Sequence, residues 1–328
     1  MKSVFVTGAT GILGSAVCEQ LVAQGDNVRA IVRDLARPDA VALRKAGVET
    51  VLGDVADRES IQAATEGMDA VIHSAAVLGR PGVQLEECIS ANVVGTLNVM
   101  SAAAAGGLPM VQVITLTFFD TAVDPLTETS PLDLLYRRND PYSLTKRLGY
   151  VEGMARVADG QDIRFMLPGA IYGPSVCLEK TAAPNTWNGR LARAIKGEMD
   201  AQLPLPIPYV TAADCAFVCI AALEKGKAGQ RYIAHGVQKE TNTMAGYGNR
   251  ACEIADVPYR VQEIAKDRMD DPDIIAKFGP TMPIMVKSGS PDPLFDSSRT
   301  EREFGYVPTS IEQGFPVTID WLKRSGFL

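Results

Sequence analysis

The stretch from Val4 to Val32 constrains this chain more than any other. Val4-Phe5-Val6 is an apolar run long enough for a buried parallel strand and too short for a helix. Thr7-Gly8-Ala9-Thr10-Gly11-Ile12-Leu13-Gly14 follows directly. Leu13, Val17 and Leu21 then recur every fourth residue, the spacing of one helical face, until Gly25 offers a left-handed stop. Val28 to Val32 reads as a second strand. Strand, glycine-rich turn, helix and strand make the half-unit that binds a dinucleotide.

The three glycines have separate tasks. Gly8 permits the tight turn out of the strand, Gly11 lets backbone approach a pyrophosphate, and Gly14 lets the helix sit close to the sheet. The amides at the helix start, Ile12 and Leu13 among them, face the anion, with Thr7 and Thr10 beside them. The flanking elements are of the required kind, which separates this loop from an ordinary strand-to-helix turn.

The remaining chain repeats the alternation. Val48–Leu52, Ala70–His73, Met110–Leu116 and Ile163–Leu167 read as further strands, and Leu85–Ala105 as a long helix. Such alternation predicts an α/β fold: a Rossmann-type doubly wound parallel sheet with a smaller C-terminal substrate lobe. Residues 1–170 form the dinucleotide-binding domain, with 207–235 returning to it. Segments 171–206 and 236–328 supply mainly the substrate lobe and closing helices. Thr186–Lys196 and Thr211–Lys225 read as helices, Arg231–Ala234 as a short strand, and Tyr259–Glu263 as another.

Composition narrows the function. Hydrophobic residues make up 46% and charged residues 22%, enough for a large core, and the net charge of −7 argues against a nucleic acid or anionic membrane as partner. The six cysteines form no Cys-x-x-Cys pair, and the two histidines lie far apart, so no metal site is expected. Apolar runs near 216–223 are too short for a bilayer span. No basic n-region precedes a long apolar stretch, and a reducing cytoplasm is the expected setting.

Tyr142-Ser143-Leu144-Thr145-Lys146 places a phenol and an ammonium at i and i+4, on one face of a helix begun by Asp140-Pro141. Leu144, Leu148, Val151 and Ala155 are read as the apolar stripe of that helix. A phenol titrates near about 10 in water, and a neighbouring ammonium brings a phenolate towards the working range. The loop-like stretch Phe118–Asn139 precedes the pair, and loops this long inside a domain are commonly functional. At the end of the fifth strand, alternation puts Thr115 and Thr117 on one side, with Thr117 nearer the ligand end as the hydroxyl that holds a substrate oxygen.

Thr-Gly-x-x-Gly-x-x-Gly, Asn92-Val93-Val94-Gly95-Thr96, Tyr-x-x-x-Lys and Pro168-Gly169-Ala170-Ile171-Tyr172-Gly173-Pro174 occur in this order, and Phe295 to Leu322 resembles the closing helices. Together they resemble the extended short-chain dehydrogenase/reductases, the NAD-dependent epimerase/dehydratase group. The resemblance implies Tyr142 as acid/base, Lys146 as its ribose-binding partner, Thr117 in the place usually held by Ser, and Asn92 as a residue ordering the site. It puts Asp54 and Val55 near the adenine, Ser74-Ala75-Ala76 along the cofactor, and Pro168-Gly169 at the nicotinamide end. Family members often dimerise through the helices at about 85–105 and 140–159, where Leu85, Ile89 and Val93 suit a homodimer contact or the core equally. Leu167 stands where many members have Arg, and Thr211-Ala212-Ala213-Asp214 replaces a more acidic stretch.

At the end of the second strand Val32 falls where an NAD-selecting acid would sit, and Arg33 can pair with a 2′-phosphate. NADP(H) is therefore expected, with NAD(H) as the alternative. Thr117 is followed by Phe118 and Phe119 rather than by a carboxylate pair, which disfavours a dehydratase. Between Ser175 and Arg190 only Lys180 and Arg190 are cations, few for a sugar diphosphate. Phe118, Phe119, Tyr172 and the apolar stretch Leu203–Tyr209 suit a neutral or aromatic small molecule. The expected activity is a carbonyl reductase or alcohol dehydrogenase like the dihydroflavonol-reductase and hydroxysteroid-dehydrogenase branch. A nucleotide-sugar epimerase with bound NAD is the alternative, and a non-catalytic NADP-binding regulator a third.

Overall fold

The computed structural model describes residues 1–78, 82–119, 125–133, 140–237, 242–279, 281–288 and 295–328. Its main sheet contains β1 (Ser3–Thr7), β2 (Asn27–Val32), β3 (Glu49–Leu52), β4 (Ala70–His73), β5 (Met110–Val113) and β6 (Ile163–Pro168). After β7 (Ala170–Tyr172) and β8 (Tyr209–Thr211), which pair with each other, β9 (Arg231–Ala234) returns as the seventh strand. The order is β9-β6-β5-β4-β1-β2-β3, with every neighbour parallel. The order reverses between β1 and β4, and the crevice at their carboxyl ends is where such sheets bind ligands.

Side-chain alternation divides the core. Val4 and Val6 point to the face covered by α1 (Ile12–Ala23) and, from far along the chain, by the helix 212–225 with Cys215 and Cys219. Phe5, Val71 and Phe165 point to the opposite face. α2 (Pro38–Lys45) adds Ala40 and Leu43 to the first face, whereas on the opposite face α3 (Arg58–Thr65) packs beside α4 (Leu85–Ala105), and α4 beside α5 (Pro141–Ala158). A second lobe centres on Tyr172, Tyr209, Tyr247 and Phe315. It includes α6 (Trp187–Ile195), and the chain then returns to the sheet through α7 (Ala212–Lys225).

Several local expectations change. α4 is one helix only in outline, because Ile89–Val94 is wound as a π-helix that includes Asn92; such segments inside α-helices are frequent at functional sites. Its length and mean hydropathy of 1.4 would suit a membrane span, yet Val99, Met100 and Ala103 are buried against the sheet. The fifth strand stops at Val113 and gives way to a 3₁₀ turn, Leu116–Phe118. Thr115 ends it by accepting the Thr117 amide at 3.3 Å, a local bond that competes with the sheet ladder. Tyr259–Glu263 forms only a single bridge, Gln202 to Glu263, instead of a strand. Within the stretch Phe118–Asn139, residues 120–124 and 134–139 lie outside the described residues, whereas Leu126–Thr127 pairs with Phe295–Asp296.

The apolar stripe of α5 faces outwards: Leu148 and Val151 are 55% and 48% exposed. The buried face is made of Ser143, Thr145, Lys146, Arg147, Gly149, Tyr150 and Gly153. Close packing explains the inversion. A Cβ at Gly153 would lie 2.7 Å from Gln112 Oε1 and 2.8 Å from Phe165, and one at Gly149 would lie 3.2 Å from the Asn92 carbonyl. Small residues let α5 approach the sheet and α4 closely enough to present its polar groups there.

Candidate active site

The glycine loop is built by contacts that exclude side chains. Gly8 has φ +74°, and a Cβ there would lie 2.6 Å from the Ala75 amide on the end of β4. A Cβ at Gly14 would lie 2.2 Å from the Gly8 carbonyl. The Gly11 amide closes the turn onto that carbonyl at 2.9 Å. Gly11 is also the N-cap of α1 and offers no side-chain acceptor to the first-turn amides. An uncapped helix start facing a tight, glycine-cornered loop is what a pyrophosphate requires, so these residues fit a dinucleotide.

Beneath the loop, hydrogen bonds fix a buried imidazole. Thr7 Oγ1 lies 2.7 Å from His73 Nδ1 and accepts the Ala75 amide at 3.3 Å. His73 Nε2 lies 3.0 Å from Thr96 Oγ1, which itself donates to the Asn92 carbonyl at 2.7 Å. Thr96 has spent its proton, so His73 must carry hydrogen on Nε2 and accept from Thr7 on Nδ1. Burial, helped by the nearby Lys146 charge, pushes the imidazole down to about 3. Asn92 Nδ2 in turn donates to the Val77 carbonyl and to Thr145 Oγ1, both at 3.0 Å. Asn92 therefore orders the start of α5 against the end of β4, and its side chain is spent on that contact.

Tyr142 and Lys146 lie on α5 directly after the Asp140 cap, which accepts the Ser143 amide at 2.9 Å. Lys146 is 3% exposed, and its Nζ donates to the Val113 carbonyl at 2.6 Å, at the end of β5. Desolvation pushes its pKa down to about 8. Tyr142 is half-buried. Thr117 approaches from the 3₁₀ turn, its Oγ1 lying 3.0 Å from Ser143 Oγ and 3.4 Å from Thr115 Oγ1. The structure thus gathers Thr117, Ser143 and Lys146 around the first turns of α5. Ser143, His73, Thr96 and Thr145 escaped the sequence reading. Two left a signal there: Ser143 stands three residues after an N-capping Asp, and Thr96 closes the Asn92–Thr96 motif.

At the opposite end of the crevice, Arg33 is exposed just past β2 and makes no ion pair among the described residues. Asp34 turns its carboxylate onto the Ala36 amide at 2.8 Å. Asp54 likewise accepts the Ala56 amide at 2.9 Å, and the Val55 carbonyl accepts Asn98 at 3.0 Å. Ser74 Oγ donates to the Thr7 carbonyl at 2.8 Å. A strap from the second lobe crosses here: Ser175 Oγ meets Ser15 Oγ at 2.7 Å, and Lys180 Nζ reaches Thr10 Oγ1 at 3.2 Å.

Three expected substrate residues belong to the core instead. Phe118 and Phe119 are 2% and 1% exposed and pack with each other and with Tyr150. Tyr172, 1% exposed, stands edge-on to Phe315 and Tyr247. Leu203, Leu205 and Tyr209 are buried as well. Large aromatic rings contribute most when fully desolvated, and at these positions that demand is met by neighbouring side chains. Pro168-Gly169 lies at the end of β6. Its backbone is pinned by Gly169 N to the Ala234 carbonyl at 2.8 Å, and Ala170 N binds the Pro208 carbonyl at 2.7 Å.

Fold and site define a dinucleotide-binding α/β enzyme of the dehydrogenase/reductase type. The chain belongs to the NAD dependent epimerase/dehydratase family, whose model matches residues 4–234, and is an extended short-chain dehydrogenase/reductase. It is 29% identical to sterol demethylase protein B of Methylococcus capsulatus over 335 residues, covering 98% of this chain and 99% of that one. A 2-alkyl-3-oxoalkanoate reductase of Stenotrophomonas maltophilia is 28% identical, covering 95% and 96%. A putative dihydroflavonol 4-reductase of a Synechocystis species is 24% identical, covering 99% and 95%. Among solved structures, gox2253 superposes with a TM-score of 0.84 at 23% identity over the full length of both chains. A nucleoside-diphosphate-sugar epimerase from Pseudomonas aeruginosa gives 0.78 at 21% identity, covering 100% and 99%; these two show a shared fold.

Proposed function

We propose that this protein is an NADP-dependent oxidoreductase that interconverts a small-molecule ketone or aldehyde with the alcohol. The observation that carries the reading is the meeting of Thr117 with the first turn of α5, where Ser143 follows Tyr142 and Lys146 lies one turn on. When bound, the dinucleotide supplies hydride at the nicotinamide to the carbonyl carbon, or takes it back in oxidation. Thr117 holds the carbonyl oxygen by hydrogen bond. Tyr142 gives that oxygen its proton, and the Lys146 ammonium stabilises the phenolate left behind. Reductases among the full-length relatives support this direction of chemistry.

NADP is favoured by Arg33, which makes no ion pair among the described residues at the end of β2, while the carboxylate of the next residue, Asp34, is engaged by its own loop. The pyrophosphate would be held by the loop residues Thr7 to Gly14, and the 2′-phosphate at the adenosine end by Arg33. With Phe118, Phe119 and Tyr172 in the core, the case for an aromatic substrate loses its residues. The runner-up, a nucleotide-sugar epimerase retaining NAD, is supported by the epimerase-like solved structures but has fewer cations than the sequence suggested, since Lys180 is drawn to Thr10.

A panel of ketones and aldehydes followed by NADPH absorbance tests the reading. Turnover with at least one carbonyl compound, abolished in Tyr142→Phe while NADPH still binds, is the expected result. Near-wild-type turnover in that variant would overturn the mechanism. Tightly held NAD without net NADPH consumption would favour the epimerase.

A further inference from the structure

Helix α6 carries a cation that the chemistry above does not use. The Arg190 guanidinium lies 5.1 Å from the centre of the Trp187 ring, and its Nη1 donates to Gln202 Oε1 at 3.2 Å. No carboxylate ion-pairs with it among the described residues. Burial holds its pKa below the usual guanidinium value. Among the described residues, the five N–H donors of this half-buried guanidinium thus meet one neutral acceptor, and a charge withdrawn even partly from water is costly when uncompensated. The exposed arginines behave differently: Arg250 pairs with Glu253 and Glu312, and Arg268 with Asp271 and Asp273.

A second unmatched group stands beside it. The Tyr209 hydroxyl is buried without a hydrogen-bond partner among the described residues, and the residue is 3% exposed. Its ring stands edge-on to Trp187 at 5.1 Å and stacks on Tyr247 at 4.2 Å. The neighbouring Tyr247 hydroxyl is satisfied by the Trp187 carbonyl at 3.1 Å. An orphaned buried hydroxyl is costly, and Arg190 meets only the neutral Gln202 oxygen, so both groups have a donor to offer a further acceptor oxygen.

Both groups are tied to the segment that leaves Pro168-Gly169. Tyr209 pairs in register with Ala170 of β7. The Asn188 side chain clamps Gly173, accepting from its amide and donating to its carbonyl, each at 2.8 Å. We propose that Arg190 and Tyr209 form an anion subsite of the substrate lobe, which takes a carboxylate or phosphate carried by the carbonyl substrate. The assignment rests on the reductase reading for the word substrate, and it replaces a neutral substrate with an acidic one.

Trp187 gives the test a built-in reporter. The full-length protein, loaded with NADP, is titrated with octanoate, octyl phosphate and octanol while tryptophan fluorescence is followed. At least one anion is expected to bind about tenfold or more tighter than octanol, and the tighter of the two identifies carboxylate or phosphate. Arg190→Met should bring that ratio within about twofold of unity, Arg190→Lys should restore part of it, and Tyr209→Phe should weaken the anion about threefold. Anions binding no tighter than octanol, or a preference that survives in folded Arg190→Met, would overturn the subsite. Should Arg190→Met fail to fold, Arg190→Gln and Tyr209→Phe carry the same comparison. The assay needs no turnover, so a protein that binds these anions through Arg190 yet reduces no carbonyl would refute the reductase reading and leave the anion site standing.

Discussion

Ser143 Oγ lies 3.0 Å from Thr117 Oγ1, joining the residue after Tyr142 to the hydroxyl beyond the fifth strand. Ser143 has one proton, and Asp140 Oδ2 at 2.7 Å is its stronger acceptor because the carboxylate is charged. The Thr117 proton is then available to Ser143 or to an incoming carbonyl oxygen. Thr117→Val is expected to lower kcat by about 10²–10³, the usual loss for one oxygen-stabilising donor. Thr117→Ser should stay within about tenfold. A Thr117→Val enzyme with unchanged kcat would remove Thr117 from the mechanism.

Lys146 should set an alkaline limit. Its folded pKa, about 8, lies below the ordinary value of 10.5 because burial disfavours the ammonium. As pH rises through about 8 the charge that stabilises the Tyr142 phenolate disappears, so kcat/KM should fall. Stability moves the other way. The unfolded chain holds the proton up to 10.5 and the folded one does not, so burying the charge costs roughly 3 kcal/mol below pH 8, and that cost fades between 8 and 10.5. Unfolding of the cofactor-free protein, compared with Lys146→Met across that range, checks the sign.

His73 gives the acid counterpart. Its imidazole titrates near 3 when folded and near 6.5 when unfolded. The folded form cannot take the proton, so the stability present above 6.5 is lost as pH falls towards 3, by roughly 5 kcal/mol for this group alone. Asp214 and Glu128, whose pKa values burial raises, oppose this in part. Replacing His73 by Gln should flatten the acid limb of a melting-temperature profile. An equally steep limb in the variant would assign the loss elsewhere.

The parts legible in sequence were those with a fixed period or a forced backbone. Gly8 and Gly14 mark places where any Cβ collides with backbone, and Tyr142 and Lys146 are bound by helical spacing. The outward stripe of α5 was misread because Leu148 and Val151 have the right period for a core face. What decides the buried face is the room that Gly149 and Gly153 leave for Asn92 and Gln112, which is set by a partner element distant in sequence. The role of His73 depends on Thr7 and Thr96, one in a strand and one in a helix, and no local pattern joins them. Phe118 and Phe119 followed a catalytic position in sequence but were claimed by the core.

Cofactor choice is tested at the adenosine end. Arg33→Ser should raise the KM for NADPH about tenfold and leave that for NADH within twofold, since only NADPH carries the 2′-phosphate that a guanidinium can pair. Lys180→Met removes a contact to Thr10 in the phosphate-facing loop and should weaken both dinucleotides to a similar extent. A wild-type enzyme that prefers NADH would sink the NADP assignment.

The misread stripe has its own consequence. Leu148, Val151 and Met154 on α5 are 55%, 48% and 36% exposed, and Leu85, Ile89 and Val94 on the adjoining α4 are 42%, 39% and 40% exposed. The first turn of α4 and the π-helical segment pack directly beside α5, which puts the two rows on adjoining elements. Scattered apolar residues need no explanation, but apolar rows on paired helices suit a self-complementary contact about a two-fold axis. A homodimer through α4 and α5 is expected in solution, with Leu148→Glu and Val151→Glu together giving a monomer of unchanged fold. Light scattering coupled to size exclusion reads the mass directly. A wild-type monomer at tens of micromolar would show that this surface is left to water, and a double variant that remains dimeric would place the interface on another face.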